Sequence, residues 1–316
     1  MKRLAVILSA IFLFLFLHSL SPVIWLYAKK DVGQPTNQEI AASLRDNTGS
    51  HFGFIVFGDN HAGFIFTDSA FLKMIRVMNR EYRFKKLPID FVMNLGDATF
   101  YKGREPDYLV YNKLRSLIKW PVMTALGNHD YVNGGWRHFK KHLGASEFSF
   151  SDRNSSFMVL NNNITDVTEE QFAWLESQLK ESASYKHRFI FMHKAPMSLY
   201  QQSWYRPEFS PWSYRLMKLC EEYKVDAVFA GHEHMFQERT FGGVKYIISG
   251  GGGMLPQIPE VEGGYLHYLV VRVNGDYWDY EIRKVFPPFW EFVTYYIWKE
   301  AFYGLKYIFF KDGLLL

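Results

Sequence analysis

The chain has 316 residues, of which 48% are apolar and 22% are charged, a balance typical of a globular protein with one large domain or two small ones. Its formal net charge is only +4, and no long run of lysine or arginine occurs, so charge gives no indication of nucleic-acid binding. The single cysteine, Cys220, excludes an intrachain disulfide.

The N-terminal segment is a candidate membrane anchor. Lys2 and Arg3 precede apolar stretches over residues 4–17 and 23–27, and together these stretches are long enough to span a bilayer, which takes about 20 helical residues. A cleaved signal peptide is the alternative, because the first stretch alone has the length of such a peptide's apolar region. We favour an uncleaved anchor, because no convincing small-x-small cleavage site precedes Lys29.

The segments that follow predict a globular domain of alternating strands and helices. A polar segment with Gly33, Pro35 and Gly49 is interpreted as a linker. Short apolar runs then predict strands, and helical spacing of apolar residues between them predicts helices. This alternation favours an α/β fold with a parallel sheet. The predicted strands are 52–57, 90–95 and 121–126, with helices at 68–82 and 108–118.

The second half of the domain continues this pattern with more antiparallel character. Thr168 begins a predicted helix, with Glu170 and Gln171 in its first turn. Asn274-Gly275-Asp276 predicts a hairpin turn. The predicted strands are 156–160, 188–192, 225–230, 244–248, 265–273 and 277–282. The resulting division is residues 1–30 as anchor or signal peptide, 31–50 as linker, 51–285 as the domain and 286–316 as an aromatic C-terminal helix.

Side chains of metal-ligating types follow several of the predicted strands. In open α/β sheets, functional groups gather just beyond the carboxyl ends of the strands, and a preceding glycine permits a sharp turn there. Each motif alone is usually a turn or a surface pair, but their joint occurrence in this order indicates a site. The residues are Asp59 and His61, Asp97, Asn128 and His129, His193, and His232 and His234.

The mixture of carboxylate, amide and imidazole ligands fits a pair of divalent cations. Two such cations about 3.5–4 Å apart repel each other and need a shared negative charge between them. Mixed nitrogen and oxygen ligation suits Mn, Fe, Zn, Co or Ni, whereas Ca²⁺ prefers oxygen alone. The sequence therefore predicts two divalent metal ions, without fixing their identity.

The series D-x-H, G-D, G-N-H-D, H and G-H-x-H resembles the signature of the calcineurin-like metallophosphoesterases, and every motif stands in the family's order. The resemblance implies a four-layer α/β/β/α sandwich with the metal site at the sheet edge. It also implies ligand sets: Asp59, His61 and His234 for one metal, Asn128, His193 and His232 for the other, and Asp97 as the bridge between them.

The resemblance further implies hydrolysis of a phosphate ester by a metal-bound hydroxide. His129 would contact the phosphate and protonate the leaving oxygen. Asp130 would orient His129 by accepting its other N–H, and a plain turn residue is the alternative. Phe100 stands where purple acid phosphatases carry a tyrosine ligand, so no tyrosinate–iron centre is expected.

Substrate contacts are predicted from arginines and aromatic residues. Arg104, Arg137 and Arg206 are candidates for phosphate or head-group binding. The segment 198–215, rich in aromatic residues and arginine, would clamp a phosphorylated substrate, and an ordinary surface loop is the alternative.

The C-terminal segment from 286 to 310 is rich in Trp, Tyr and Phe and has few charges, which predicts an interfacial helix on a membrane. A helix packed on the domain is the alternative. Together with the N-terminal segment, this tail would place the site near lipid, so a lipid-linked substrate is expected. We expect an exported domain at a bacterial inner membrane, or a secreted protein if residues 1–30 are removed.

Two other functions also fit the sequence. Some proteins of this family are binding scaffolds without activity, but every predicted ligand is present here. A nuclease or cyclic nucleotide phosphodiesterase is the other, and the low net charge argues against the nuclease. No nucleic-acid partner is expected.

Overall fold

The computed structural model describes residues 2–31, 33–45, 47–81, 88–162, 167–198, 210–256 and 258–286. Most of the predicted C-terminal helix, most of the segment 198–215, and Arg206 lie outside these residues.

Helices and strands alternate along most of the chain. The helices are α1 Lys2–Ala28, α2 Asn37–Leu44, α3 Ile65–Glu81, α4 Glu105–Arg115, α5 Asn128–Tyr131, α6 Gly135–Leu143, α7 Glu169–Glu181 and α8 Pro211–Glu222. The strands are β1 His51–Phe57, β2 Ile89–Asn94, β3 Val122–Thr124, β4 Phe148–Asp152, β5 Ser155–Leu160, β6 His187–Met192, β7 Ala227–Ala230, β8 Phe236–Phe241, β9 Val244–Ser249, β10 His267–Asn274 and β11 Tyr277–Lys284.

The strands form two sheets, each with a parallel centre. The first has the order β11-β10-β1-β2-β3, in which β1, β2 and β3 are parallel and the C-terminal hairpin β10–β11 is antiparallel. The second has the order β4-β5-β6-β7-β9-β8, in which β5, β6, β7 and β9 are parallel and both edge strands are antiparallel. The predicted α/β fold with parallel strands is therefore confirmed.

The two sheets pack face to face through a core rich in phenylalanine. Phe54 of β1 is fully buried at its centre. Around it lie five phenylalanine rings with centroids 5.0–6.2 Å away, from strands of both sheets: Phe91, Phe157, Phe189, Phe191 and Phe229. Stacked and edge-to-face ring pairs of this kind add to the stabilisation from burial alone. This core fixes how the two sheets face each other.

Helices cover the outer face of each sheet. Apolar residues of α1, α3, α4 and α6 share a buried cluster with the first sheet, and those of α7 and α8 share another with the second sheet. The helix predicted to begin at Thr168 is α7, where the Thr168 side chain accepts a hydrogen bond from the Gln171 N–H in a capping box. Two sheets flanked by helices give the expected layer order.

The segment predicted as a linker contains a helix that belongs to the domain. Thr36 caps α2 in a reciprocal pair with Glu39, and Ile40 and Leu44 are buried between the sheets. The Asn37 amide donates to the Thr124 carbonyl at 2.9 Å and accepts from the Thr124 N–H at 2.9 Å. The interpretation of residues 31–50 as a plain linker therefore needs correction.

The N-terminal segment forms α1, and its last turns pack on the domain. Val23 and Leu26 are buried in the cluster on the first sheet, and α1 contacts α3 and α4. Within the described residues, no helix combines the length and the apolar character needed to cross a membrane.

We predict that Phe54→Ala lowers the free energy of unfolding by about 3–5 kcal/mol, because it removes the ring on which strands of both sheets converge. Phe241→Ala is the matched control at a position that is mostly exposed on β8, where a change within about 0.5 kcal/mol is expected. Chemical denaturation of the two variants measures both values. An equal, small change in both would contradict this account of the core.

Candidate metal centre

The predicted ligands lie beyond the carboxyl ends of adjacent parallel strands. Because the two sheets face each other, these ends meet at one edge of the molecule. Asp59 and His61 follow β1, Asp97 follows β2, Asn128 and His129 begin α5 after β3, His193 follows β6, and His232 and His234 follow β7.

Asp59, His61 and His234 form the first group of potential ligands. Each offers one ligand atom, and these atoms all lie within 4.8 Å of one another. His234 Nε2 is 3.6 Å from Asp59 Oδ1, and the His61 and His234 rings have centroids 5.2 Å apart at a steep angle. These residues come from strand ends of both sheets and share one small space, as the resemblance implied.

Asp97, His193 and His232 form the second group, with ligand atoms within the same 4.8 Å of one another. Asn128 belongs beside this group, because its Oδ1 lies 2.9 Å from His193 Nε2. The sequence-predicted residues for the second metal are thus also brought together.

Asp97 faces both groups with different oxygens. Its Oδ1 lies 3.4 Å from His193 Nε2, and its Oδ2 lies 3.7 Å from His61 Nε2 and 4.0 Å from His129 Nε2. A carboxylate that presents one oxygen to each side has the geometry of a ligand shared by two cations. The position predicted for the bridge is therefore occupied by a suitably oriented group.

His61 shows that the donor set fits a cation. The side chain is buried, and within the described residues neither of its ring nitrogens has a hydrogen-bond partner. Buried polar atoms normally have partners, because an unsatisfied one costs about 1–3 kcal/mol. A divalent cation between His61, Asp59 and His234 would bind one of these nitrogens.

Burial keeps several of these imidazoles neutral, which is the form that binds metal. It lowers the pKa of His61 well below its usual value, and it lowers the pKa of His234 to about 4. The same cause lowers the pKa of His232. Neutral ligands leave the positive charge of bound cations available for an anionic substrate.

Asp97 is ionised despite its burial. Burial opposes ionisation, but the adjacent His193 outweighs it, so the pKa of the Asp97 carboxyl lies well below its usual range. In turn, the Asp97 carboxylate outweighs burial and raises the pKa of His193 to about 9. Without metal, the His193 imidazole is therefore protonated on both nitrogens, and a bound cation would displace one of these protons.

Several ligands occupy left-handed backbone conformations that are rare for residues other than glycine. Asp59 has φ 64°, His61 has φ 49°, Asp97 has φ 49° and His232 has φ 69°. Strain of this kind costs about 1–3 kcal/mol per residue, and it persists only where the surroundings enforce it. Four of the predicted ligand positions therefore share this unusual backbone conformation.

The glycines before the ligands serve mainly close packing. A Cβ on Gly127 would lie 2.0 Å from the Asp97 backbone nitrogen, and one on Gly231 would lie 2.5 Å from Asp59 Oδ2. Neither glycine has a positive φ, so the close approach of neighbouring atoms is what requires glycine at these two positions. Their role is to let neighbouring strand ends approach each other.

His129 lies at the rim of the site and is oriented by the backbone. Its Nδ1 lies 2.7 Å from the Phe100 carbonyl oxygen, and its backbone N–H donates to Asp97 Oδ1 at 2.8 Å. The side chain is 39% exposed, whereas Asp97 and His61 are buried. Because Nδ1 is held by Phe100, Nε2 is left facing the site.

Asp130 does not accept the ring N–H of His129, so that part of the prediction is corrected. Its buried carboxylate accepts hydrogen bonds from the N–H groups of Gly127 at 3.0 Å, Ala98 at 3.1 Å and Thr99 at 2.9 Å. Burial raises the pKa of Asp130 to about 6. The carboxylate ties the loop that carries Asp97 to the loop that carries Asn128.

Backbone carbonyls also orient two of the histidine ligands, which the sequence did not reveal. His193 Nδ1 lies 3.0 Å from the Leu95 carbonyl oxygen, and His234 Nδ1 lies 3.1 Å from that of Leu255. Such contacts hold Nδ1 as the donor and leave Nε2 as the ligand. A motif search cannot find them, because any residue type supplies a carbonyl.

The predicted substrate arginines have other contacts. Arg104 forms a two-pronged ion pair with Asp107, with both hydrogen bonds at 3.0 Å, and its side chain is 55% exposed. The Arg137 guanidinium lies over the Trp136 ring, 5.2 Å from its centroid. Arg206 lies outside the described residues. Their substrate-binding role stays a prediction.

Comparison with known proteins identifies the family of this chain. The sequence model of the family described as calcineurin-like phosphoesterase matches residues 52–236. The glycerophosphodiester phosphodiesterase GpdQ of Enterobacter lignolyticus is 23% identical over 145 residues, which are 42% of this chain and 51% of that protein. The chain therefore matches about half the length of this curated relative.

Solved structures with a similar fold include two with low sequence identity. Purple acid phosphatase PPD1 from yellow lupin, Lupinus luteus, has a TM-score of 0.60 and 16% identity, covering 76% of this chain and 53% of that one. GAP50, the anchor in the inner membrane complex of Plasmodium, has a TM-score of 0.56 and 14% identity, covering 76% of this chain and 90% of that one. These likenesses show the fold.

We predict that Asp97→Asn weakens binding of both cations by more than about 100-fold. Loss of a group that only supports a ligand costs up to about 100-fold, and loss of a shared ligand should cost more. The substitution keeps the shape but removes the shared charge. Asp276→Asn, at an exposed hairpin position, is the control and is expected to bind Mn²⁺ as the wild type does. Equilibrium dialysis with metal analysis measures both. Full loading of Asp97→Asn would contradict the shared role.

Proposed function

Because the chain belongs to the calcineurin-like phosphoesterase family, we propose that it is an enzyme that hydrolyses a phosphodiester at a centre of two divalent cations. The observation that carries this proposal is the position of Asp97, whose Oδ2 lies 3.7 Å from His61 Nε2 and whose Oδ1 lies 3.4 Å from His193 Nε2. When bound, such a pair of cations lowers the pKa of water toward neutrality and neutralises charge on the phosphate oxygens.

The protein's own residues prepare the centre for an anionic substrate. Asp59 and Asp97 supply two negative charges for two divalent cations, and the other proposed ligands are neutral imidazoles or an amide. The site with its metals therefore carries a net positive charge. Such a charge favours a phosphate group and stabilises the extra negative charge that develops on it during reaction.

His129 is proposed as the general acid. Phe100 holds its Nδ1, so the proton of an imidazolium at Nε2 faces the site, and its exposure supports access to substrate. This proton would pass to the oxygen of the departing alcohol as the bond to phosphorus breaks. The backbone N–H of His129 donates to Asp97, which keeps acid and metal bridge at a fixed distance from each other.

The proposal that the domain works at a lipid surface rests on the sequence and on α1. Large apolar side chains of this helix are exposed, and Trp25 is 62% accessible to solvent. Exposed apolar patches of this kind commonly bind membranes or partner proteins. We propose that these exposed side chains of α1 contact a lipid bilayer, and that the domain is exported. Flotation of the full chain with anionic liposomes tests this, and failure to float would contradict it.

We predict that His129→Ala lowers kcat by about 100-fold or more, because general acids typically contribute 10²- to 10⁴-fold. Metal content should remain that of the wild type, because the ligands that hold the ions are unchanged. His138→Ala, on the nearby helix α6, is a control with the same chemical change. Steady-state kinetics and metal analysis on the same samples measure the effect. Loss of metal from His129→Ala, or full turnover, would contradict the assigned role.

A substrate comparison tests the reaction class. With Mn²⁺ supplied, we expect the highest kcat/KM for an aryl phosphodiester and for a glycerophosphodiester, and lower values for an aryl monoester and a nucleotide-diphosphate lipid. The diester preference is supported by the similarity to a glycerophosphodiester phosphodiesterase. A dominant monoesterase activity would contradict the preference. No hydrolysis of any ester by the metal-loaded protein would contradict the enzyme and favour a binding scaffold.

A further inference from the structure

The last turn of α1 reaches the loop that carries His61. Val23 and Leu26 are buried against the first sheet and its helices. Tyr27, which follows them, points its hydroxyl at Asp68 in the first turn of α3. The Lys113 ammonium of α4 donates to the Tyr27 carbonyl at 2.9 Å and fixes the same turn from the other side.

Asp68 connects Tyr27 to the loop that carries His61. Its carboxylate accepts the Tyr27 hydroxyl, and both of its oxygens lie 3.2 Å from the Gly63 backbone nitrogen, whose N–H they accept. Gly63 stands two residues after His61. Asp68 is fully buried, so the carboxylate depends on these protein donors in place of water. Hydrogen bonds from Tyr27 to Asp68 and from Gly63 to Asp68 thus connect α1 directly to the loop.

The remaining contacts of the loop show that it has little freedom. The Thr67 hydroxyl donates to the His61 carbonyl at 2.6 Å, and the His61 N–H donates to the Asp97 carbonyl at 3.0 Å. A Cβ on Gly63 would lie 2.4 Å from Asp107 Oδ1, so Asp107 closes the loop on another side. His61 is held between the first turn of α3 and the loop of the shared ligand.

Such restraint is needed because His61 has an unfavourable backbone conformation. Its φ of 49° is rare for a residue with a side chain, and it is retained only if the surrounding contacts outweigh the strain. Burial raises the pKa of Asp68 to about 7, while the Tyr27 hydroxyl opposes that rise. Removing the hydroxyl would therefore weaken the carboxylate as an acceptor for Gly63.

We propose that Tyr27 and Asp68 are positioning residues for the first cation, and that α1 holds the His61 loop in its ligand conformation. The inference rests on the proposed metal centre and adds a regulatory element to it. Docking of α1 and binding of the cation beside Asp59, His61 and His234 are coupled, so each favours the other by the same factor. On this account, α1 is a working part of the folded domain.

The decisive variant is Tyr27→Phe in the full chain, which removes one hydroxyl and keeps the buried ring. Mn²⁺ binding is measured by titration calorimetry in two backgrounds. His232→Ala leaves the first group of ligands intact, and His234→Ala leaves the second. We expect Tyr27→Phe to lower the affinity for Mn²⁺ by about three- to tenfold in the His232→Ala background. This is less than the roughly 10- to 100-fold loss typical of removing a group that contacts a ligand directly. In the His234→Ala background the affinity should not change.

Tyr214→Phe is the matched control, because it removes the same hydroxyl from a tyrosine that is exposed on α8. Asp68→Asn is expected to lower the affinity for the same cation. Combined with Tyr27→Phe, it should lower the affinity by less than the product of the two single effects, because both residues act through the same series of hydrogen bonds. Thermal unfolding of the metal-free variants separates positioning from general destabilisation.

The reverse effect is measured on α1 itself. Mn²⁺ should slow amide hydrogen exchange in the last turn of α1 in the wild type, and slow it less in Tyr27→Phe. Unchanged affinity in Tyr27→Phe, or equal weakening in both backgrounds together with a lower Tm, would overturn this inference alone. A wild-type chain that binds no Mn²⁺ would overturn the proposed metal centre and this inference with it.

Discussion

The candidate metal centre depends on one buried carboxylate that faces two groups of potential ligands. Asp97 lies at the end of β2 with one oxygen toward His193 and the other toward His61. The adjacent His193 keeps the pKa of this carboxyl low despite its burial, so its negative charge is available to cations on both sides. Its left-handed backbone is supported by Asp130, whose carboxylate accepts the N–H groups of the two residues that follow Asp97. Movement of this one group would separate the ligand sets.

The fold supplies this carboxylate with partners from both sheets. The phenylalanine core around Phe54 presses β1 and β2 against the strands of the second sheet, so that the carboxyl ends of both sets lie at one edge. His193 and His232 come from the second sheet, whereas Asp97 comes from the first. The aromatic core therefore holds the two sheets together in the arrangement that brings the candidate ligands of both sheets to one edge.

Much of this could be predicted from the sequence, because apolar strands and the residue types after them are local signals. The strands missed were β4 and β8, which are edge strands with many polar residues. The helix α2 was missed although Thr36 and Glu39 form a recognisable capping box. The partners of His129 and Asp130 could not be predicted, because they are backbone groups brought close only by folding. Periodicity also could not show that the end of α1 packs on the domain, since an apolar segment suits lipid and protein equally.

The most direct test of the central claim is the anomalous scattering of crystals grown with Mn²⁺. We predict two peaks about 3.5–4 Å apart, the usual spacing in centres with two metals. One peak should lie beside Asp59, His61 and His234 and the other beside Asn128, His193 and His232, with an oxygen of Asp97 bound to each. A single peak, or two peaks that Asp97 does not join, would contradict it.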